Sequence, residues 1–327
     1  MIKHDSILSL TKDYTRSEND LANRLREKVF QKLINMNNND ELLKNNDYSS
    51  DWLKFKDEAL NLKKAICIKY NIDDFSLEHV GGQKNYDFIA KSNTSDKTKD
   101  NNINNNIKLE YKHQSSFKKL PQILAVSNIS NPFFKESYWE YYFNYTIPIL
   151  KNKLIPELPS ITIDEYVNVC RKSLTTKLLK SNNFRKNLNT NVLDFFDKLW
   201  ELSINKDLKS IYNKIIQDSI DTYLNKYQNC ITKEFVEKIE ILVKEKQCDK
   251  YFIFWQGTKS SPYWKVESLP DSLELTGEYS LKKNKQNKAH TIQLNTKNSN
   301  TLDLYLRWKN HQGVSNPAWQ IKLNIKN

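Results

Sequence analysis

Glu110 and Lys112 stand two residues apart in the alternating run Ile107-Lys-Leu-Glu-Tyr-Lys112, and Asp87 stands in an earlier run, Asn85-Tyr-Asp-Phe-Ile-Ala90. Both runs have strand character, and in a strand residues two apart project to the same face. Glu110 and Lys112 therefore point together while Tyr111 points away. If the earlier run pairs alongside in antiparallel fashion, Asp87 reaches the same face. Two carboxylates meeting there would bind a hard, oxygen-seeking cation of the kind that phosphodiester cleavage uses to offset developing charge. A lysine beside them would orient an attacking water or stabilise a pentavalent transition state. The acid-x-Lys spacing occurs twice in the chain, and its second instance, Asp207-x-Lys209, lies in a helical pattern with no upstream strand aspartate. Context singles out the first. The structural alternative is an exposed strand with a cross-strand ion pair between Asp87 and Lys112.

These residues need elements to position them. Residues 17–34 read as a helix that Ser17 caps, with Leu21, Leu25, Val29, Leu33 and Ile34 on one stripe. The Asn-rich link from Asn37 to Asp40 leads to a second helix at 51–70, where Trp52, Phe55, Ala59, Leu62 and Ile66 share a face. The chain holds five glycines, and two of them, Gly81 and Gly82, sit together just before the Asp87 run, which implies an unusual backbone requirement at that turn. Residues 92–106 are polar, low in complexity and read as a flexible loop. A helical pattern is expected near 118–127, then an aromatic-dense stretch at 133–145, then a mostly helical middle over 162–247 with Thr162 and Thr232 as caps. Strand patterns follow at 251–255, 264–267, 273–279, 291–294, 302–308 and 318–325.

Helix, glycine turn, strand with an aspartate, loop, then a strand bearing Glu-x-Lys resembles the PD-(D/E)xK nuclease superfamily, which includes many restriction endonucleases and repair nucleases. The residues that carry the resemblance are Gly81-Gly82, Asp87 and Glu110-Tyr111-Lys112, within roughly residues 50–127. Tyr86 stands where the nominal motif has proline. The resemblance implies an α/β fold with a restriction-endonuclease-like αβββαβ core. It implies that Asp87 and Glu110 ligate Mg²⁺, with Mn²⁺ as a substitute, that the carbonyl of Tyr111 completes the metal shell, and that Lys112 assists the nucleophile. It also nominates Glu58, on the helix before the core, and Gln122, at the start of the helix after the motif strand, as supporting catalytic residues. The plain reading of Glu58 is a solvated helix-face charge. Glu78 and His79 flank the glycine turn and are expected to lie off the site.

The expected organisation is a nuclease core with N-terminal helices over 1–150, a helical region over 151–247 and a β-rich region over 248–327. In the last of these, Arg307, Lys309, Asn310 and Gln320 are of the types that pair with base edges or grip phosphate, so the region is a candidate for DNA recognition. A hairpin turn with buried tryptophans is the alternative. The aromatics at 133–145 suit core packing better than base stacking. With 51 Lys+Arg against 39 Asp+Glu, the net charge of +12 suits a polyanionic partner such as double-stranded DNA, because each neutralised phosphate releases counterions.

Four scattered cysteines form no C-x-x-C pair, the five histidines have no metal-ligand spacing, and no phosphate-binding glycine loop or nucleophile elbow is present. That pattern argues against a zinc site, a disulfide framework and ATP hydrolysis. No signal core or membrane-length apolar run occurs, so an intracellular, cytoplasmic protein off the membrane is expected. The expected activity is a Mg²⁺-dependent DNA endonuclease. Its size favours a sequence-specific restriction type, which implies a homodimer and a cognate DNA methyltransferase. Two alternatives stay open. One is a structure-dependent repair or recombination nuclease, and the other is a non-catalytic basic nucleic-acid-binding protein.

Overall fold

The structure is a computed structural model. It describes residues 16–36, 56–80, 86–92, 106–112, 123–127, 133–171, 181–247, 249–255, 264–269, 273–283, 290–308 and 317–325. The chain is mixed α/β, with helices and two five-stranded sheets in two compact units that interleave along the sequence. The first unit comprises residues 1–120 and 243–273, and the second comprises 121–242 and 274–327. The sequence divides consecutively at 150 and 247 by composition, whereas strand pairing groups residues far apart in the chain. The two divisions therefore do not coincide.

In the first unit, helix α1 (Arg16–Asn35) and helix α2 (Lys56–Tyr70) precede the sheet. Helix α2 ends where Asn71 takes a left-handed φ of 51°, with Asn71 N–H bonded to Ile68 O at 3.4 Å and Ile72 N–H to Cys67 O at 3.1 Å. This paired closure uses the tolerance of asparagine for the left-handed region and turns the chain into the sheet. Strand β1 (Phe75–His79) pairs antiparallel with β2 (Phe88–Ser92), and β2 pairs antiparallel with β3 (Asn106–Lys112). Strand β5 (Lys250–Trp255) then lies parallel to β3 on its other side, and β6 (Trp264–Ser268) closes the edge, giving the order β1-β2-β3-β5-β6.

Alternation decides the faces. Phe75, Leu77, Phe88, Ala90, Leu109 and Tyr111 are buried, together with Val29, Phe30, Leu33 and Ile34 of α1. Leu109 and Tyr111 belong to this core, so Glu110 and Lys112 take the opposite face of β3. Phe30 ties helix to sheet, with its ring centroid 5.3 Å from Tyr111, 5.3 Å from Trp264 and 5.8 Å from Phe88.

The second unit contains strand β4 (Leu124–Ser127), whose partner is β10 (Pro317–Asn324), in an antiparallel sheet ordered β4-β10-β9-β8-β7. Strands β7, β8 and β9 span Leu275–Lys283, His290–Thr296 and Thr301–Trp308. Of the helix expected near 118–127, residues 118–122 lie outside the described residues, and 124–127 form a strand. A run of four residues is too short to register a helical period, and its pairing with β10 decides it. Its helices are α3 (Tyr138–Tyr141), continued by a π-helical turn (Tyr142–Thr146), then α4 (Ile147–Lys153), α5 (Ile163–Arg171), α6 (Asn182–Arg185), α7 (Thr190–Ile204), α8 (Lys209–Lys226) and α9 (Lys233–Gln247), the last of which runs on into the first unit. The expected cap at Thr162 is a reciprocal capping box with Glu165: Glu165 N–H donates to the Thr162 hydroxyl at 3.2 Å and Thr162 N–H to Glu165 Oε2 at 2.8 Å. Phe134, Tyr138, Trp139, Tyr141 and Tyr142 are buried, so most of this aromatic stretch is core, whereas Tyr145 is half exposed. Among the described residues no helix is long and apolar enough to cross a membrane.

Phe30→Ala removes the ring that three aromatic neighbours enclose. It should lower the unfolding free energy of the first unit by about 3–5 kcal/mol in chemical denaturation.

Candidate functional site

Asp87 lies immediately before β2, where its N–H donates to Leu109 O at 3.0 Å and its carbonyl accepts from Val80 N–H at 2.8 Å. These bonds extend the antiparallel ladder by one step and set Asp87 beside Glu110. The carboxylate is fixed in turn, because Tyr111 N–H donates to Asp87 Oδ2 at 2.8 Å. Lys112 forms an ion pair with Glu110 Oε1 on its own strand and none with Asp87, so the cross-strand pair of the structural alternative is not what the structure contains. Asp87, at the entry to β2, and Glu110 and Lys112, at the end of β3, are thus brought together at one end of two neighbouring strands.

Two residues that the sequence reading passed over also belong there. Glu27, Gln31 and Asn35 recur at intervals of four along α1 and so form one stripe of the helix. The Asn35 amide exchanges two hydrogen bonds with the backbone of Leu77, at 2.7 and 2.8 Å, and Gln31 Nε2 donates to the same carbonyl at 2.9 Å. Glu27, next on the stripe, meets His79 Nε2 through Oε2 at 2.9 Å, and its charge acts on Asp87. The regular spacing of Glu, Gln and Asn beside an apolar stripe is the signal that could have located it. Lys250, the first residue of β5, forms an ion pair with Glu110 Oε2 and is 2% exposed. Only the parallel pairing of β3 with β5 reveals this second lysine.

The electrostatics are those of crowded, desolvated acids. Burial pushes the Asp87 carboxyl up to about 6, the Glu27 and Glu110 charges push the same way, and Lys112 and the Tyr111 N–H oppose them. Burial pulls the Lys250 ammonium below its usual value, and Glu110 opposes that shift. Among the described residues no group of three or more His, Cys, Asp or Glu side chains is arranged to hold a metal. The donor set is instead the carboxylates of Asp87 and Glu110. One or two carboxylates, with water completing the shell, is the provision Mg²⁺ ordinarily takes from a protein. A divalent cation would also relieve the unfavourable charge on the buried Asp87, so the residues fit such an ion.

The other nominated residues fare differently. Glu58 lies on α2, and neither a hydrogen bond nor an ion pair joins it to Asp87, Glu110 or Lys112; the helical acid acting on Asp87 is Glu27. Glu78 pairs with Lys91, and His79 reaches the site only through Glu27. Arg307 is exposed on β9. Gln320 is buried on β10, which removes it from the surface that a base edge meets. Gly81, Gly82, Gln122, Lys309 and Asn310 lie outside the described residues.

The folded-state value for Asp87 lies above its ordinary value near 3.8, so the native state holds the proton more tightly than the unfolded chain. The group therefore favours the fold below about pH 4, and that contribution is lost as pH rises toward 6. In cation-free buffer Asp87→Asn should be more stable than the parent by about 3 kcal/mol at pH 7, and the two should converge near pH 4. Denaturant midpoints measured across that range check this. Comparison with protein-family models, with curated protein sequences and with solved structures gives no match.

Proposed function

We propose that the protein is a divalent-metal-dependent DNA endonuclease whose site is Asp87, Glu110 and Lys112. The observation that carries this reading is the convergence of two carboxylates and a lysine where β2 begins and β3 ends, with Asp87 locked by the Tyr111 amide. Selected elements support a restriction-endonuclease-like αβββαβ core: α1 and α2, the antiparallel strands β1, β2 and β3, then, after β4 and the helices α3 to α8, α9 and β5, which is parallel to β3. In this reading α9 serves as the helix of the crossover. The net charge of +12 supports a polyanionic partner, double-stranded DNA being the one that fits the chemistry.

Asp87 and Glu110 would hold the cation, with the Tyr111 N–H fixing the Asp87 carboxylate. The bound cation supplies Lewis-acid stabilisation of the charge that develops on the phosphoryl oxygens. Lys112 is 31% exposed at the end of β3, so its ammonium can turn from Glu110 toward the entering water and the phosphate. There it would orient the water by hydrogen bonding and stabilise negative charge on the pentavalent transition state. Water adds to phosphorus in line as the bond to the leaving oxygen breaks, and the proton lost by water balances the one gained by that oxygen.

Incubating plasmid DNA with the purified protein in Mg²⁺, in Mn²⁺ and in EDTA tests the reading. Cutting should require the metal, and Asp87→Ala and Lys112→Ala should each lower the rate by about 10²-fold or more. Discrete bands would indicate sequence reading, whereas selective cutting of branched or single-stranded substrates would indicate a structure-dependent nuclease. Tight DNA binding with no cutting in any metal would leave a basic binding protein.

A further inference from the structure

Glu110 is held by two ammonium groups with different freedom. Lys112, on Oε1, is partly exposed at a strand end. Lys250, on Oε2, is buried at the start of β5 and lies 5.2 Å from the centroid of the Phe252 ring, which supplies a second attraction for the cation. Oε2 itself is fully buried. The register explains the arrangement. Glu110 stands opposite Phe252, and Lys250, two residues earlier on the same face, is its diagonal neighbour.

Two-metal hydrolytic sites place their ions about 3.5–4 Å apart, commonly with one carboxylate bridging them through its two oxygens. Here the inner oxygen of the bridging candidate is already occupied by a fixed positive charge, which repels a second dication. We propose that Lys250 is a positioning residue that stands in for a second metal ion, so that the site takes a single divalent cation between Glu110 Oε1 and Asp87. This rests on the nuclease reading above. Lys112 is the ammonium that yields when a cation arrives, because it alone of the two has solvent to move into. Lys250 stays and keeps Glu110 aimed.

Counting Mn²⁺ by the loss of its free electron-paramagnetic-resonance signal tests this without DNA or turnover. The quantity read is the number of ions bound by the parent chain minus the number bound by Asp87→Ala, which removes adventitious surface binding. That difference should be one. In Lys250→Ala, which uncovers Oε2 and removes the charge, the same difference, measured against the Asp87→Ala/Lys250→Ala double variant, should rise to two. A difference of two in the parent would overturn the proposal, as would a difference that stays at one in a Lys250→Ala chain whose circular dichroism shows it folded. If that variant does not fold, the parent count decides alone. A difference of zero in the parent, together with no metal-dependent cutting, would instead remove the nuclease reading on which the proposal rests.

Discussion

Strand β3 has an antiparallel neighbour on one side and a parallel neighbour on the other, and the whole arrangement around Glu110 depends on that placement. The antiparallel partner β2 sets Asp87 beside Glu110 and lets the Tyr111 amide hold its carboxylate. The parallel partner β5 brings Lys250 to the other oxygen of Glu110 from a distant part of the sequence. Parallel strands cannot be joined by a tight turn. The chain leaves β3 and returns at β5 only after building most of the second unit. The interleaving of the two units is a consequence of that crossover.

The helix side of the site obeys an equally simple rule. One turn-by-turn stripe of α1 carries Asn35, Gln31 and Glu27, and the first two spend their amides on the backbone of the edge strand β1. An edge strand exposes unpaired backbone groups, and these side chains satisfy some of them while fixing the rotation of the helix. Glu27 is then delivered to His79 and into the field of Asp87. The result is unfavourable for stability taken alone, since three carboxylates share a poorly hydrated region and Asp87 resists ionisation. Arrangements of that kind cluster at functional sites, where a ligand supplies the missing charge. Structural networks also perturb carboxyl groups, so here it is the geometry that gives the perturbation its meaning.

Much of this was legible in the sequence where periodicity is strong and local. The helix expected at 17–34 spans 16–35, the strand expected at 107–112 spans 106–112, and the late strands fall close to their expected positions. Glu110 and Lys112 could be placed on one face because a two-residue period needs no tertiary information. The alternation that buries Leu109 and Tyr111 was visible for the same reason. What was not legible required long-range pairing. Lys250 is one of many lysines until β5 is set parallel to β3, and β4 joins a sheet whose other strands lie more than a hundred residues further on. The resemblance points to Glu58, on the helix immediately before the core, whereas the hydrogen bonds of Gln31 and Asn35 attach α1 to β1 and carry Glu27 to His79. Gln320 has a side chain suited to base edges, yet its position on β10 buries it.

That Asp87 and Glu110 together form a divalent-cation site is the claim on which the functional reading turns, and iron-directed scission of the polypeptide addresses it most directly. Fe²⁺ bound in place of Mg²⁺, with ascorbate and peroxide, releases hydroxyl radicals that cut the chain close to the ion. Fragments ending near residues 87 and 110, suppressed by excess Mg²⁺, are the expected result. Scission elsewhere, or none above the level given by free iron, would contradict a cation site at this end of β2 and β3.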